Sequence, residues 1–288
     1  MARIADLLRA GPTRSFEFFP PKNDEMERQL DKTVAELALL GPSFVSVTYG
    51  ALGSTRDRTR DVVIRINGEQ TFPCMAHLTC VGHTRADIAD LLDLYADAGV
   101  ENILALGGDP PADGSDPGGE YEYALELVET VRAHRGGFSV GVAAHPELHP
   151  RSPDRPSDRR RLAEKLEVAD FAVTQFFFEA DDYLRMIDDL DALGCRKPVV
   201  PGIMPILTVA GVKRMAAMNG SVIPAPLLAR IEDVADDADA VLEIGIDAAT
   251  ELSRTLIDSG APGLHLYALN RPTSVRRIYR NLGLASPD

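Results

Sequence analysis

Cysteine is scarce and badly spaced for cross-linking. Cys74, Cys80 and Cys195 are the only three, an odd number with no C-x-x-C pair. That excludes a disulfide framework and points to a reducing compartment. Long apolar runs are missing too. No stretch approaches the roughly 18–20 uninterrupted apolar residues of a membrane span. The apolar part of the opening segment, MARIADLLRAGPTRS, is too short for a signal peptide. Positive charge is in deficit: 30 Lys and Arg face 44 Asp and Glu, a net charge of -14. Such a chain is not built to grip nucleic acid or an anionic membrane, although a local basic pocket for an anionic ligand is compatible with it. Together these absences predict a soluble, cytoplasmic protein. A G-x-G-x-x-G turn after the first strand candidate is also lacking, which argues against a dinucleotide-binding open sheet.

What is present is an alternation. Hydrophobic residues make up 45% of the 288 positions, enough for a large core at a length normal for an α/β barrel. Short apolar runs predict strands at Ser15–Phe19, Phe44–Thr48, Pro73–Leu78, Asn102–Leu106, Phe138–Ala143, Phe171–Gln175, Val199–Ile203 and Gly263–Tyr267. Amphipathic stretches lie between them. DEMERQLDKTVAELALL sets Met26, Leu30, Val34, Leu37 and Leu40 near one face. TRADIADLLDLYADAGV opens on a Thr cap with Asp three residues on and closes at Gly99, and DADAVLEIGIDAATELSRTLIDSG ends at Gly260. Eight strands, each followed by helix and too apolar to face water, predict one (β/α)8 TIM-barrel domain over residues 1–288. The segments Pro110–Gly119 and Pro150–Arg161 read as long loops on the C-terminal face, which carries the active site in this fold.

Polar residues gather at the predicted strand ends. Glu17 lies inside SFEFFPPK, Thr48 ends the second strand, and His77 lies near the end of the third. Asp109 and His145 follow the fourth and fifth, Gln175 ends the sixth, and Tyr267 and Asn270 close the eighth. Any one of them has a bland reading, as an edge charge or a buried amide. Their coincidence at one end of a barrel favours a site. His145 and His149 have the i, i+4 spacing of a zinc pair, but Pro146 and Pro150 forbid a helix there, so no metal is expected. RPSDRRRLAEK reads equally as a solvated helix start or as a phosphate site built from Arg159–Arg161 at a helix N-terminus.

The ordered set SFEFFPPK, FVSVTYGALGSTRDRT, AHLTC, ALGGDPP, HPELHP, TQFFFEADDYL, VPGIMPI and LHLYALNR resembles the methylenetetrahydrofolate reductase family from Ser15 to about Leu284. The resemblance implies a catalytic barrel without a regulatory domain. It implies reduction of 5,10-methylenetetrahydrofolate to 5-methyltetrahydrofolate with NADH or NADPH, usually through FAD, in one-carbon metabolism and methionine synthesis. It gives Glu17 the role of general acid, expected to have a raised pKa between Phe16 and Phe18. Asp109 would balance cationic charge, and Gln175 would read the pterin edge. Met215 stands where relatives have a residue between substrate and nicotinamide. Thr48, His77, Leu106, Gly107, Gly108, Tyr123, Ala124, His145, Asp158, Arg161 and Lys165 would line the cofactor.

Departures fall on the flavin side. Gly107 replaces an arginine of the usual Ala-Leu-Arg-Gly-Asp motif, His145 replaces a tyrosine, Gly211 replaces a glutamine, and KLEVADFAVTQ is one residue short. These predict weak or absent FAD and hydride passing directly from nicotinamide to folate. Competing readings are a flavin-dependent amine dehydrogenase of the proline dehydrogenase type, which needs no buried acid in strand one, and a non-catalytic folate-binding protein, which could lose Glu17 freely.

Overall fold

The structure is a computed structural model describing residues 2–49, 54–109 and 118–284. In chain order the elements are α1 (Ile4–Ala10), β1 (Thr13–Phe18), α2 (Asp24–Ala38), β2 (Phe44–Val47), α3 (Ser54–Glu69), β3 (Cys74–Thr79), α4 (Arg85–Asp97), β4 (Asn102–Leu106) and α5 (Ala124–Ala133). There follow β5 (Ser139–Ala144), α6 (Arg155–Val168), β6 (Phe171–Phe176), α7 (Ala180–Ala192), β7 (Val199–Ile203), α8 (Val209–Asn219), α9 (Ala225–Asp233), α10 (Ala238–Asp258), β8 (Gly263–Tyr267) and α11 (Pro272–Asn281). The strands pair in parallel and in sequence order, and β8 returns to β1, so the sheet is a closed (β/α)8 barrel.

Side-chain alternation along each strand builds two cores. One set points outward: Phe16, Phe18, Val45, Val47, Ala76, Leu78, Leu264 and Leu266 pack under the helices. The opposite set fills the lumen. Its lower layer is apolar, with Phe44, Met75, Leu104, Phe171, Val173 and Val200 packed on Ile4. Its upper layer is polar and buried: Glu17, Ser46, His77 and His265. The helices follow their local signals. Asn23 caps α2, and Thr84 and Asp87 form the capping box of α4.

Three features differ from expectation. A helix precedes the first strand. The α1 amide of Ile4 donates to Asn102 Oδ1 at 2.7 Å and that of Ala5 to Ser139 Oγ at 3.1 Å, so α1 closes the N-terminal end of the barrel. Between β7 and β8 two further helices, α8 and α9, precede the expected long one, which is α10. The loop beginning at Pro150 is shorter than predicted, because Asp154 already caps α6 and Pro156 sits in its first turn. Of the other long segment, Pro110–Gly119, only Gly118 and Gly119 are among the described residues.

Candidate functional site

The acid cluster follows from strand register. Glu17 pairs with Ser46 on one side and Tyr267 on the other, and Ser15 pairs with His265. Glu17 Oε2 lies 3.2 Å from His265 Nε2, 3.4 Å from His77 Nε2 and 3.4 Å from Ser46 Oγ. The His77 contact is off the line of a hydrogen bond, which leaves that buried nitrogen without a hydrogen-bond partner. The expectation that Phe16 and Phe18 wall in the carboxyl fails, because strand alternation turns both rings away from the lumen. Burial does push the Glu17 carboxyl upward. The charge of His77, the hydrogen bond and charge of His265 and the Ser46 hydroxyl act the other way, and together they hold it below the ordinary carboxylate value. His77 is itself lowered by burial and then by His265, against the pull of Glu17. His265 and Ser46 were missed. The available signal was period: His265 lies two residues before Tyr267 and must share its face.

A second group lines the rim where β5 meets α6. The His145 and His149 rings stand 4.5 Å apart, edge to face, in a loop. Lys165 Nζ donates to Ala143 O at 3.0 Å, and Arg151 Nη2 donates to Gly108 O at 3.3 Å. Burial and then the neighbouring His149, Lys165, Arg159 and Arg151 push the His145 imidazole down to about 3. Burial lowers Lys165 to about 8, against the attraction of Asp158. Buried Asp158 accepts from Ser152 Oγ at 2.8 Å. Arg161 is exposed on α6.

Arg159 leaves the phosphate reading. It is 2% exposed and donates to the carbonyls of His145, Pro146 and Glu147 while pairing with Asp158 and Asp189. Its guanidinium is consumed in holding the loop.

The remaining candidates ring the mouth. Thr48 directly follows β2, and Leu106 ends β4 ahead of Gly107, Gly108 and the exposed Asp109. Gly108 needs its missing side chain: φ is +84°, and a Cβ there would meet Val81 Cγ1 at 2.4 Å. Gln175 Oε1 accepts from Phe176 N at 3.2 Å and from Tyr267 Oη at 3.4 Å, while Tyr267 Oη also donates to Thr174 O at 2.9 Å. Met215, on α8, packs with an apolar cluster that includes Phe176, Met204 and Tyr267. Tyr123 is the exposed N-cap of α5, followed by Ala124. Asn270 is structural: its amide brackets the Phe19 backbone, accepting from N and donating to O, both at 2.9 Å. Among the described residues, no three His, Cys, Asp or Glu side chains converge to hold a metal ion, and no helix is long and apolar enough to cross a membrane.

A closed parallel barrel with an ionisable cluster sunk at the carboxyl ends of its strands is the architecture of a (β/α)8 enzyme. The family is specific: the model described as methylenetetrahydrofolate reductase matches residues 3–283, and the chain belongs to that family. It is 37% identical over 298 residues to methylenetetrahydrofolate reductase (NADH) 1 of Arabidopsis thaliana, covering 98% of this chain and 50% of the plant protein. It is 35% identical over 271 residues to 5,10-methylenetetrahydrofolate reductase of Escherichia coli, covering 94% of this chain and 90% of that protein. The chain thus spans about half the length of its plant relatives and nearly all of its bacterial ones. Among solved structures, a Clostridium thermocellum protein described as binding two copies of 5-methyl-5,6,7,8-tetrahydrofolic acid superposes with a TM-score of 0.66. It is 13% identical and covers 97% of this chain and 96% of its own, a likeness of fold.

Two outcomes follow from the rim. Arg159→Ala leaves the Asp158 carboxylate and three carbonyls short of a buried donor, a loss of about 3–5 kcal/mol. It should lower the urea midpoint rather than alter nucleotide affinity alone; an unchanged midpoint would return Arg159 to the surface. A cation whose folded-state pKa lies below its unfolded value weakens the fold while charged. That penalty is complete below about pH 8 and disappears as pH rises towards the ordinary 10.5. Lys165→Met should therefore exceed wild type in denaturation midpoint at pH 7, by a margin that shrinks above pH 8. A margin constant with pH would mean that Nζ is solvated.

Proposed function

We propose that this chain, acting as one catalytic domain in the cytoplasm, reduces 5,10-methylenetetrahydrofolate to 5-methyltetrahydrofolate with NADH. The observation that carries the proposal is the Glu17 carboxyl, buried at the mouth and bonded to groups able to hold a proton. The methylene bridge of the substrate joins two nitrogens. Protonating N10 breaks its bond to the bridge carbon and leaves an N5 iminium, and hydride from nicotinamide then makes the methyl group. Glu17 supplies the proton. Asp109, at the exposed edge beyond β4, balances the cation that forms. Gln175, whose Oε1 is held by Tyr267 and Phe176 N, turns its amide nitrogen to the pterin. Met215 packs beside the substrate and nicotinamide. The plant relatives' names specify NADH, which favours it over NADPH.

The dinucleotide belongs on the rim. Arg151, Lys165 and Arg161 supply positive charge for a pyrophosphate on a chain whose net charge is -14. Thr48, His77, Leu106, Gly107, Gly108, Tyr123, Ala124, His145 and Asp158 complete the wall. The same cations would meet the pyrophosphate of FAD, but the arginine that the family uses for flavin is Gly107. The guanidinium nearest to it belongs to Arg151, 3.7 Å from the position of a Gly107 Cβ, and it is tied to Gly108 O. The residues do not match a flavin site at this point, and the proposal is direct transfer between two ligands bound together.

Glu17→Gln should bind the folate and lose about 10²–10⁴-fold in turnover; near-full turnover would remove Glu17 from the mechanism. Direct transfer holds both ligands at once, with reacting carbons about 3–3.5 Å apart. Initial-rate lines should then intersect, the purified protein should be colourless between 350 and 500 nm, and added FAD should not raise the rate. Parallel lines with stoichiometric yellow flavin would overturn direct transfer and leave the reductase proposal standing.

A further inference from the structure

Left-handed backbone is rare outside glycine, because the Cβ of an L-residue then crowds the following carbonyl. Among the described residues two others adopt it, and they are consecutive: Leu269 at φ +51° and Asn270 at φ +52°. They are the central pair of the turn that leaves β8, closed by Arg271 N donating to Ala268 O at 2.8 Å. A turn with two left-handed residues is ordinarily made from glycine, asparagine or aspartate. Asn270 is accounted for. Asparagine tolerates this backbone, its amide brackets Phe19, and its carbonyl accepts from Thr33 Oγ1 at 3.1 Å. Leu269 is not. Glycine at 269 would make the same turn without the steric cost, so the reason for leucine lies in its side chain.

The place of that side chain is set by β8. Leu264, Leu266 and Ala268 belong to the outer core under the helices, and His265 and Tyr267 face the lumen. Leu269 shares the parity of the lumen row. It is half-buried and packs against the cluster of Phe176, Met204 and Ile206, as Met215 and Tyr267 do. The row runs from His265, 3.2 Å from Glu17, through Tyr267, whose hydroxyl reaches Gln175 Oε1 at 3.4 Å, to Leu269 at the mouth. Its height is fixed by β1: Ala268 N donates to Glu17 O at 3.0 Å, and Asn270 holds Phe19. Because α1 and the apolar layer close the lumen from below, a ligand that reaches Glu17 comes past this row.

We propose that Leu269 is a folate-contacting residue: its side chain is an apolar wall for the aromatic ring carried on N10, and the strained turn exists to hold it there. The inference rests on the reductase reading for the identity of the ligand. N10 is the nitrogen that receives the proton of Glu17, so the ring bonded to it lies one group further towards the mouth, where Leu269 stands. An uncharged ring suits a half-buried apolar side chain, whereas phosphates find their cations on the β5–α6 rim. The competing role for Leu269 is that of a cap on the apolar cluster with no ligand involved. Strained backbone held in place by its surroundings is a mark of binding sites, and the two roles are separable.

Leu269→Gly and Leu269→Ala both remove the wall, but only glycine relieves the backbone. Urea midpoints and calorimetric binding of 5-methyltetrahydrofolate are measured on each. The glycine variant should have the higher midpoint of the two, the reverse of the order at an unstrained position. Both should bind 5-methyltetrahydrofolate about tenfold more weakly than wild type, by the same factor, with the NADH KM unchanged. A folate loss that tracks the midpoint, large in the alanine variant and small in the glycine variant, marks a cap and overturns the proposal. So does an unchanged folate Kd in both. An alanine midpoint at or above that of glycine overturns the strain. Should Leu269→Ala not fold, Leu269→Asn replaces it, since asparagine accepts the left-handed backbone and offers no apolar wall; it should lose the same factor as glycine, and wild-type affinity in it overturns the proposal. Wild-type protein that binds no 5-methyltetrahydrofolate overturns the reductase reading and this inference together. Wild type and variants that bind it equally overturn this inference alone.

Discussion

A carboxylate enclosed in a closed parallel barrel cannot draw on water, so the strands around it must supply its solvation. For Glu17 that requirement fixes what can stand on four strands. β1 must turn it inward, β2 must bring a hydroxyl, β3 and β8 must bring imidazoles, and the register must set them level. A shift of one residue in any of these strands would send an apolar side chain such as Phe16, Val45, Leu78 or Leu264 into the cluster and its polar residue under the helices. The cluster and the barrel are therefore one constraint.

The lumen is asymmetric for the same reason. Below the cluster it is filled by Phe44, Met75, Leu104 and Phe171 and closed by Ile4 of α1, so ligand and solvent enter only from the C-terminal end. The rim at that end is braced. Arg159 bonds the carbonyls of the β5–α6 loop from beneath. From above, Glu147 Oε1 accepts from Val222 N at 2.7 Å, and Pro150 packs against Gly220, where a Cβ would lie 3.1 Å from the ring. The loop that carries the histidines is thus joined to the connection between α8 and α9, and two walls of the mouth hold each other in place.

The sequence disclosed most of the frame. Val199–Ile203, Gly263–Tyr267 and Asn102–Leu106 are strands with the expected bounds, and the others differ by one or two residues at an end. Buried parallel strands are short apolar runs, and proline, glycine and cap residues punctuate them. Glu17 was legible because a charge in such a run demands a reason. Its surroundings were not. Phe16 and Phe18 are its neighbours in the chain, but the groups that touch it lie 29, 60 and 248 residues away, at Ser46, His77 and His265. Arg159 misled in the same way. A run of three arginines looks solvated or anion-binding, and only the fold of the preceding loop shows that one of them faces inward. α1 went unread because its seven residues give too little periodicity to register.

The ionisable groups at the centre and at the rim of the mouth are both shifted downward, which favours charge on the carboxyl and neutrality on the imidazoles. At the centre, the imidazoles of His77 and His265 and the Ser46 hydroxyl hold the Glu17 carboxyl below its ordinary value although burial alone would raise it, which favours its charged form. At the rim, burial and then the charges of Arg151 and Lys165 lower both His145 and His149 and so favour their neutral forms. Neutral rings leave the lysine and arginines as the carriers of charge there. An anionic ligand arriving at the rim would ease the repulsion among them, whereas the same anion at the centre would face Glu17. This contrast is what supports the proposed placement of phosphates at the β5–α6 rim and of a neutral or cationic reacting group at the centre. A folate bridge carbon becoming an iminium meets that requirement.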